Sequence, residues 1–472
     1  MTQVESILYS RDFCCPGCKE ETLSYHVEDK LFYCLHCHAE FPNFDESFPV
    51  FVPNYNEYLS NYVLTLEKKK REVSKNIERI NPVHPDVHSL KKEKIKDVLE
   101  TEIGEINDLQ NKVCKYLLPK DILGQVGCEA MVGYTDAKQY LLRDWCSFPE
   151  SEKEIHIIVN AIKEKIQKLP VKMGNALIPG CGLARFAYEF SDIFNKVFSF
   201  DYSLSMIDSF SSILKERKIF GLINSKNIVS DSQLIRTCHV NCNGLFEKDS
   251  SGKDVSKIIY YVGQAQHIPL KNNTVDAIVS IYFSDVLPLK DYIEEFSRVL
   301  KEGGILVHFG PLDYHFETFE DRLSLQELFA GLKSYGFEVD MDYQIIPTNH
   351  LEDDTLYLNG YKNILFTATK IKDLVKPLLP VSKVYFDKPF SYTSKGIFNS
   401  STDADHDVEK SITFSDGSEF ENAGDVLSIL NILRDGYTIS ECILKINEKY
   451  SIEDKEIFDL INLLIKKKVL KV

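Results

Sequence analysis

The central part of this 472-residue chain predicts an α/β domain in which helices cover a largely parallel, doubly wound sheet. Between residues 171 and 375, short β-rich runs such as NALIPG, KVFSFD and DAIVSIYF alternate with amphipathic stretches such as RFAYEFSDIF and KDYIEEFSRVLK. The first strand runs into a turn containing Gly180 and Gly182, and the second ends at Asp201. Glycines at such a turn let a ligand approach the backbone and the following helix N-terminus.

The remainder of the chain predicts four further segments. They are an N-terminal cysteine-rich domain (1–55), a mostly helical segment leading into the central domain (60–170), a polar linker or hairpin (376–408), and a small C-terminal module (409–472). The last begins with two short strands around Asp416-Gly417, a typical hairpin turn, and continues as helices.

Composition and charge narrow the class of protein. Hydrophobic residues make up 44% and charged residues 27%, as in ordinary globular proteins. The net charge of −16 does not suit general binding to phosphate backbones, so nucleic acid is a disfavoured partner. No apolar run reaches the roughly 18 residues of a membrane helix, and the N-terminus lacks a secretory pattern. We therefore expect a cytoplasmic protein whose twelve cysteines are thiols or metal ligands.

Two paired cysteine motifs predict a metal site near the N-terminus. Four thiolates suit one tetrahedral Zn²⁺ and leave no open coordination position, so the site is expected to be structural. The alternative is that the four cysteines are unrelated buried residues. One more cysteine and two histidines nearby could compete as metal ligands. The stretch resembles the zinc ribbons that precede some RNA methyltransferases and the small zinc-ribbon activators of tRNA methyltransferases. The predicted ligands are Cys15, Cys18, Cys34 and Cys37, and the competitors are Cys14, His36 and His38.

The turn after the first central strand predicts a nucleotide-like ligand other than NAD. A dinucleotide fingerprint requires a third glycine where this chain has Arg185. A carboxylate at Asp201 can accept two hydrogen bonds from a ribose diol, and the third strand ends at Gln264-Ala265, where an adenine can be recognised. This order of elements resembles a Rossmann-like class I S-adenosylmethionine (SAM) methyltransferase. Another doubly wound domain with accidental glycines is the alternative.

Three stretches resemble the carnosine N-methyltransferase family, whose members methylate a histidine imidazole. They are RDWCSF, LIPGCGLARFAYEF and HFGPLDYHFE, and the resemblance extends with gaps over about residues 90–370. It implies that Arg143 reaches the SAM carboxylate, that Gly180 and Gly182 line its methionine portion, and that Asp201 binds the ribose. It also implies a substrate pocket built from Asp285, His315 and Tyr361.

The chain departs from the family pattern at several positions. Tyr140 replaces a glutamine, and Asp201 replaces a glutamate. Asn349 and Asn359 occupy two positions where the family has pocket tyrosines. Methyl transfer remains the expectation, whereas carnosine as the acceptor is left open.

The imidazole chemistry assigns candidate roles to three residues. Asp285 is expected to accept the imidazole N–H, which fixes the tautomer and stabilises the cation that forms. His315 is expected to position the acceptor or assist proton removal, and Tyr361 to donate a hydrogen bond to its polar end. The alternatives are a capping aspartate, a packed histidine and a core tyrosine.

The C-terminal module resembles a small winged helix of the kind that holds a leader peptide in some peptide-modifying enzymes. Residues 411–472 carry 8 Lys and Arg against 11 Asp and Glu, which favours a peptide or protein partner, or homodimerisation, over DNA.

The sequence thus predicts a SAM-dependent N-methyltransferase that modifies a histidine in a peptide or protein. Two alternatives are an RNA methyltransferase that uses the ribbon for RNA and a catalytically inactive SAM-fold binding subunit. The intact Gly180, Gly182 and Asp201 argue against the inactive subunit.

Overall fold

The structure is a computed structural model in which two compact units comprise residues 1–374 and 375–472. The described residues are 11–80, 89–117, 136–169, 174–216, 218–223, 230–240, 252–350 and 359–371, together with isolated residues and short strands elsewhere.

The first unit contains fourteen strands in its described part. They are β1 (Leu23–His26), β2 (Leu31–Cys34), β3 (Glu40–Phe44), β4 (Phe48–Phe51), β5 (Asn175–Pro179), β6 (Lys196–Asp201), β7 (Lys218–Ile223), β8 (Ile235–Val240), β9 (Ile258–Gly263), β10 (Val275–Ile281), β11 (Leu300–Gly310), β12 (Phe337–Val339), β13 (Gln344–His350) and β14 (Asn359–Lys370).

The described helices of this unit cover both faces of its sheet. They are α1 (Tyr55–Ile80), α2 (Ser89–Cys114), α3 (Ala137–Trp145), α4 (Pro149–Gln167), α5 (Arg185–Phe190), α6 (Leu204–Lys215), α7 (Leu289–Val299) and α8 (Leu325–Ser334). Helices α1 to α6 pack on one face, in a hydrophobic cluster that includes Leu59, Ile162 and Phe210. Helices α7 and α8 pack on the other face, around Ile293 and Leu328.

Twelve of these strands form one sheet in the order β1-β2-β3-β4-β9-β6-β5-β10-β11-β14-β12, with β13 paired to β14. The five strands from β9 to β11 are mutually parallel, and β14 is antiparallel to β11. The chain builds outward from β5 to β6 and β9, then returns to β10 on the other side of β5. Because ligands bind where the strand order reverses, the crevice is expected at the carboxyl ends of β5 and β10. The predicted α/β architecture is confirmed.

The N-terminal ribbon continues the central sheet. Strand β4 pairs in parallel with β9, so that Val50 lies opposite Val262. The ring of Phe13 packs edge-on against Phe198 and Tyr261, with centroids 5.7 and 6.0 Å apart. All four β4 residues are apolar and buried, as suits a strand that pairs inside the sheet.

Two elements differ from the sequence-based expectation. Strands β7 and β8 form an antiparallel hairpin inserted between α6 and β9, which the sequence pattern did not reveal. Helix α5 has six residues, although RFAYEFSDIF reads as a longer helix. The helix ends early because the backbone N–H and the hydroxyl of Ser191 both donate to the carbonyl of Tyr188.

In the second unit, the described strands are β15 (Tyr385–Phe386), β16 (Phe390–Gly396), β17 (Val408–Phe414), β18 (Glu419–Glu421) and β19 (Leu470–Lys471). Strand β17 pairs antiparallel with both β16 and β18, so the hairpin predicted around Asp416-Gly417 is confirmed. The helices predicted for the winged-helix-like module fall outside the described residues. None of the helices in the described part of the chain is both long enough and apolar enough to cross a bilayer.

Candidate active site

The carboxyl ends of the central strands open into a cavity of about 1170 Å³. This volume is slightly larger than that of ordinary small-molecule sites, which run from about 300 to 1,000 Å³. The cavity is lined by all nine residues that the sequence assigns to cofactor or acceptor: Arg143, Gly180, Gly182, Asp201, Gln264, Ala265, Asp285, His315 and Tyr361.

The glycine turn forms one wall of the cavity. Gly180 and Gly182 have φ values of +58° and +54°, in the left-handed region that glycine enters without steric cost. The backbone N–H of Cys181 donates to the carbonyl of Phe200 at 2.9 Å, which fastens the turn to β6. Backbone atoms rather than side chains therefore face the ligand space here.

Asp201 braces this turn from the end of β6. One carboxylate oxygen accepts the backbone N–H of Gly182 at 2.9 Å, and the other accepts that of Ser203 at 2.8 Å. Burial raises the pKa of Asp201, and these two N–H donors oppose the shift. Each carboxylate oxygen has a second lone pair, so the group can still accept hydrogen bonds from a diol.

Replacing Gly180 by alanine is expected to damage the site more than the same change at Gly182. A Cβ at Gly180 would lie 2.8 Å from Cδ2 of Phe283, whereas no atom lies within 4 Å of a Cβ at Gly182. Both variants share the strain of a positive φ. We expect Gly180→Ala to have the lower melting temperature and to bind S-adenosylhomocysteine at least tenfold more weakly than wild type. Equal melting temperatures for the two variants would contradict this packing argument.

Arg143 is held by its neighbours on α3. Its guanidinium donates two hydrogen bonds to the buried carboxylate of Asp144, at 2.6 and 3.2 Å, and lies 5.3 Å from the ring centre of Tyr140. Burial opposes its charge, but the Asp144 pair outweighs burial and raises the pKa. The indole of Trp145 donates to the carbonyl of Leu183 at 3.0 Å, which ties α3 to the glycine turn. The guanidinium is thus a fixed cation on the cavity wall.

Another part of the cavity wall is formed by the residues that follow β9. Gln264 follows β9 directly and lines the cavity beside Tyr202 and the buried Ala265. Phe283 adds an aromatic wall next to Gly180. This apolar end with one amide side chain suits a flat heteroaromatic group.

Asp285 and His315 meet at the mouth of the cavity. Nε2 of His315 lies 3.9 Å from Oδ2 of Asp285, and the backbone N–H of His315 donates to the Asp285 carbonyl at 2.9 Å. The Asp285 side chain is 7% exposed and the His315 side chain 65% exposed. Burial raises the pKa of Asp285, and its own backbone N–H and His315 oppose that shift. The pair therefore places a buried carboxylate behind a solvent-accessible imidazole.

Tyr361 completes this part of the cavity from β14, where it lies opposite Thr348 of β13 in the strand register. It is a residue of the strand itself, although the sequence suggested that it precedes the strand.

Several lining residues were missed by the sequence analysis. Tyr282 was read only as part of a core strand and Glu154 as an ordinary residue of a helical segment, and Phe148 was noted only as the last residue of the RDWCSF motif. Arg236 comes from the β7–β8 hairpin, and its guanidinium lies 4.4 Å from the ring centre of Phe148. Gln139 also lines the cavity. It directly precedes Tyr140, and Tyr140 is the position at which the family pattern has a glutamine. The RDWCSF motif and the Tyr140–Arg143 spacing were the signals that pointed to this region.

The predicted metal ligands also come together. The sulfur atoms of Cys15, Cys18, Cys34 and Cys37 all lie within 4.8 Å of one another. The Cys15–Cys37 and Cys18–Cys34 sulfur pairs are each 3.6 Å apart. Four sulfurs about 2.3 Å from one Zn²⁺ lie roughly 3.8 Å apart, so the donor set and spacing fit that ion.

The competing ligands have other contacts. Sγ of Cys14 donates to the carbonyl of Leu270 at 3.1 Å, and Nδ1 of His38 contacts the hydroxyl of Tyr33. Neither Cys14, His36 nor His38 belongs to the cysteine cluster found among the described residues.

Comparisons with known proteins agree with the geometry. A family model described as carnosine N-methyltransferase matches residues 125–372. The carnosine N-methyltransferase of Rattus norvegicus is 28% identical over 257 residues, covering 49% of this chain and 61% of that protein. The Mus musculus protein is 27% identical over 256 residues, with the same coverage of 49% and 61%. The match thus spans about 61% of the length of these curated relatives.

Among solved structures, a SAM-dependent methyltransferase from Methanosarcina mazei is 15% identical, with a TM-score of 0.30, and the match covers 44% of this chain and 97% of that one. The family model covers more than half of the 472 residues and includes all nine predicted cavity residues. The chain belongs to the carnosine N-methyltransferase family.

Proposed function

We propose that this protein is a SAM-dependent N-methyltransferase that methylates an imidazole nitrogen of a small histidine-containing acceptor, or of a histidine in a peptide or protein. The observation that carries the proposal is one cavity that combines the glycine turn with the Asp285–His315 pair. Membership of the carnosine N-methyltransferase family supports the reaction class.

The cavity residues divide into a cofactor end and an acceptor end. Arg143 would bind the carboxylate of SAM, Gly180 and Gly182 would line its methionine portion, and Asp201 would accept the ribose hydroxyls. Gln264 and Ala265 would border the adenine. In this assignment the fixed cation of Arg143 pairs with the carboxylate of SAM, and the carboxylate of Asp201 accepts charge-assisted hydrogen bonds from the neutral diol.

The acceptor end supplies orientation and charge. SAM, when bound, supplies a methyl group on a sulfonium centre. Asp285 would accept the N–H of one imidazole nitrogen, which leaves a lone pair on the other nitrogen facing the cofactor end. The same carboxylate would stabilise the positive charge that the ring acquires. His315 and Tyr361 would hold the acceptor from either side and limit water at the mouth.

The depth of Asp285 supports a slender acceptor group. Its side chain is 7% exposed, and the more exposed His315 lies above it. A histidine side chain or a small histidine derivative can reach such a carboxylate, whereas a folded surface cannot. A histidine in a peptide or protein would have to extend from its backbone into the cavity.

We also propose that the cysteine cluster holds a structural Zn²⁺. The four sulfurs would fill the tetrahedral shell and leave no position for a reacting ligand, so the ion would stabilise the ribbon rather than take part in methyl transfer.

Incubation with methyl-labelled SAM tests the function. We expect label to appear on the imidazole nitrogen of carnosine or of histidine-containing peptides, as read by NMR of the product. An RNA pool is tested in parallel. Label in RNA alone, or in none of these acceptors, would overturn the proposal.

The pH dependence of turnover tests the role of Asp285. The ionised carboxylate is the active form, so kcat at saturating acceptor should fall as the pH decreases through the pKa of Asp285 and level off above it. Because burial raises that pKa, the fall should lie above the ordinary carboxyl value of 3.8. The acceptor imidazole must also be neutral to react, so the residual activity of Asp285→Asn should keep the limb of the acceptor, whose ordinary pKa is about 6.5, and lack the limb of Asp285. If the limb assigned to Asp285 persists in that variant, another group causes it.

A further inference from the structure

Tyr282 lines the cavity and has a strained backbone. It follows β10 directly, three residues before Asp285, and has a φ of +51°. A bulky aromatic residue rarely adopts this left-handed conformation, which tends to persist at functional sites. Its backbone N–H donates to the carbonyl of Phe309 at 2.9 Å, which anchors the turn to the end of β11.

The ring of Tyr282 has little freedom to move. It stands edge-on to the ring of Phe309, with centroids 5.7 Å apart. A Cβ at Gly310 would lie 3.4 Å from the Tyr282 nitrogen and 3.7 Å from its ring, so the absence of a side chain there leaves room for this arrangement. The aromatic ring is therefore a fixed part of the cavity wall.

The hydroxyl of Tyr282 is oriented by a buried polar network. Nδ2 of Asn363 donates to Oγ1 of Thr348 at 2.9 Å and to the carbonyl of Ile346 at 3.2 Å. Oγ1 of Thr348 lies 3.3 Å from the Tyr282 hydroxyl oxygen. The Thr348 hydroxyl has one proton and two lone pairs, so it can donate to the Tyr282 oxygen while it accepts from Asn363. In that arrangement the phenol of Tyr282 can donate its proton to a ligand in the cavity.

Two further features fit this role. Burial raises the pKa of Tyr282 to about 12, so the phenol keeps its proton at neutral pH. Thr348 also lies opposite Tyr361 in the strand register, so the network is next to the tyrosine assigned to the acceptor end.

We propose that Tyr282 determines acceptor specificity by donating a hydrogen bond from its phenol to a carbonyl or carboxylate oxygen of the acceptor. The inference rests on the proposed function, because it requires an imidazole acceptor held by Asp285. Acceptors with an oxygen near the imidazole would then be preferred over those without one.

Three imidazole acceptors separate this role from simple packing. Carnosine carries an amide carbonyl and a carboxylate, its decarboxylated form carcinine carries the amide alone, and histamine carries no oxygen. For Tyr282→Phe we expect about a tenfold higher KM for carnosine, the size of one lost hydrogen bond, with kcat changed less than threefold. Histamine should show less than a twofold change. If Tyr282→Phe raises the KM for carcinine as much as the KM for carnosine, the hydrogen bond is assigned to the amide carbonyl. If the KM for carcinine changes as little as that for histamine, the bond is assigned to the carboxylate.

A control variant and a binding measurement complete the test. Tyr343→Phe removes a hydroxyl from a tyrosine that is 43% exposed outside the cavity, and should match wild type with all three acceptors. Calorimetric titration of the three compounds into protein saturated with S-adenosylhomocysteine provides the same comparison without turnover. If Tyr282→Phe lost the same affinity for histamine as for carnosine, the assignment of Tyr282 would be overturned. A parallel loss of affinity for S-adenosylhomocysteine in that variant would also overturn it. If wild type neither methylates nor binds any of the three compounds, the proposed function itself fails.

Discussion

Asp285→Asn is expected to lower kcat about 10³-fold while leaving the affinity for S-adenosylhomocysteine within threefold of wild type. The substitution keeps the size of the side chain and removes the charge that would stabilise the imidazolium. Because Asp285 lies at the acceptor end, the cofactor contacts of the glycine turn and Asp201 should be unaffected. Turnover is measured with labelled SAM and carnosine, and cofactor affinity by calorimetry.

Asp29→Asn is a matched control, because Asp29 lies in the exposed turn between β1 and β2 and its side chain is 66% exposed. This control should retain wild-type turnover. A large loss of S-adenosylhomocysteine affinity in Asp285→Asn would place Asp285 in the cofactor site instead. Unchanged turnover in Asp285→Asn would show that Asp285 takes no part in the reaction.

Cys37→Ser is expected to release the metal and to lower the melting temperature of the protein by at least about 10 °C. Structural zinc contributes about 10–16 kcal/mol to the folding of small zinc domains, and a few kcal/mol of that loss suffices for such a shift. Cys37 is exposed, so its own packing contributes little and the effect reports on the metal. Metal content is measured by mass spectrometry, with about one zinc per chain expected in wild type.

The effect should extend from the ribbon to the cofactor end of the cavity. Strand β4 pairs with β9, and Gln264 and Ala265 follow β9 directly. We therefore expect Cys37→Ser to weaken S-adenosylhomocysteine binding about tenfold. Cys114→Ser, a substitution outside the cysteine cluster, should keep both the metal and the affinity. A metal-free wild type, or a variant with the wild-type melting temperature, would contradict the structural zinc site.

The sequence pattern predicted the parts of the fold that depend on local chemistry. Buried strands such as IIYYVG and the glycine turn have signatures within a few residues, so both were readable. The position of Asp285 and His315 came from the family resemblance, and the structure adds the 3.9 Å distance between their side chains.

The features that were not predicted depend on long-range or backbone information. The pairing of Val50 with Val262 joins residues more than 200 positions apart, and no local pattern encodes it. The left-handed backbone of Tyr282 is likewise invisible in DAIVSIYF, which reads as an ordinary buried strand. The β7–β8 hairpin was missed because its sequence, KIFGLI followed by IRTCHV, lacks a short turn between the strands.

A crystal structure of the protein with S-adenosylhomocysteine and carnosine would examine the cavity assignment most directly. We predict the ribose hydroxyls on Asp201, the amino-acid carboxylate near Arg143, and one imidazole nitrogen facing the sulfur while the other donates to Asp285. A different nucleotide in the crevice, or an imidazole bound away from Asp285 with no nitrogen facing the sulfur, would contradict the account.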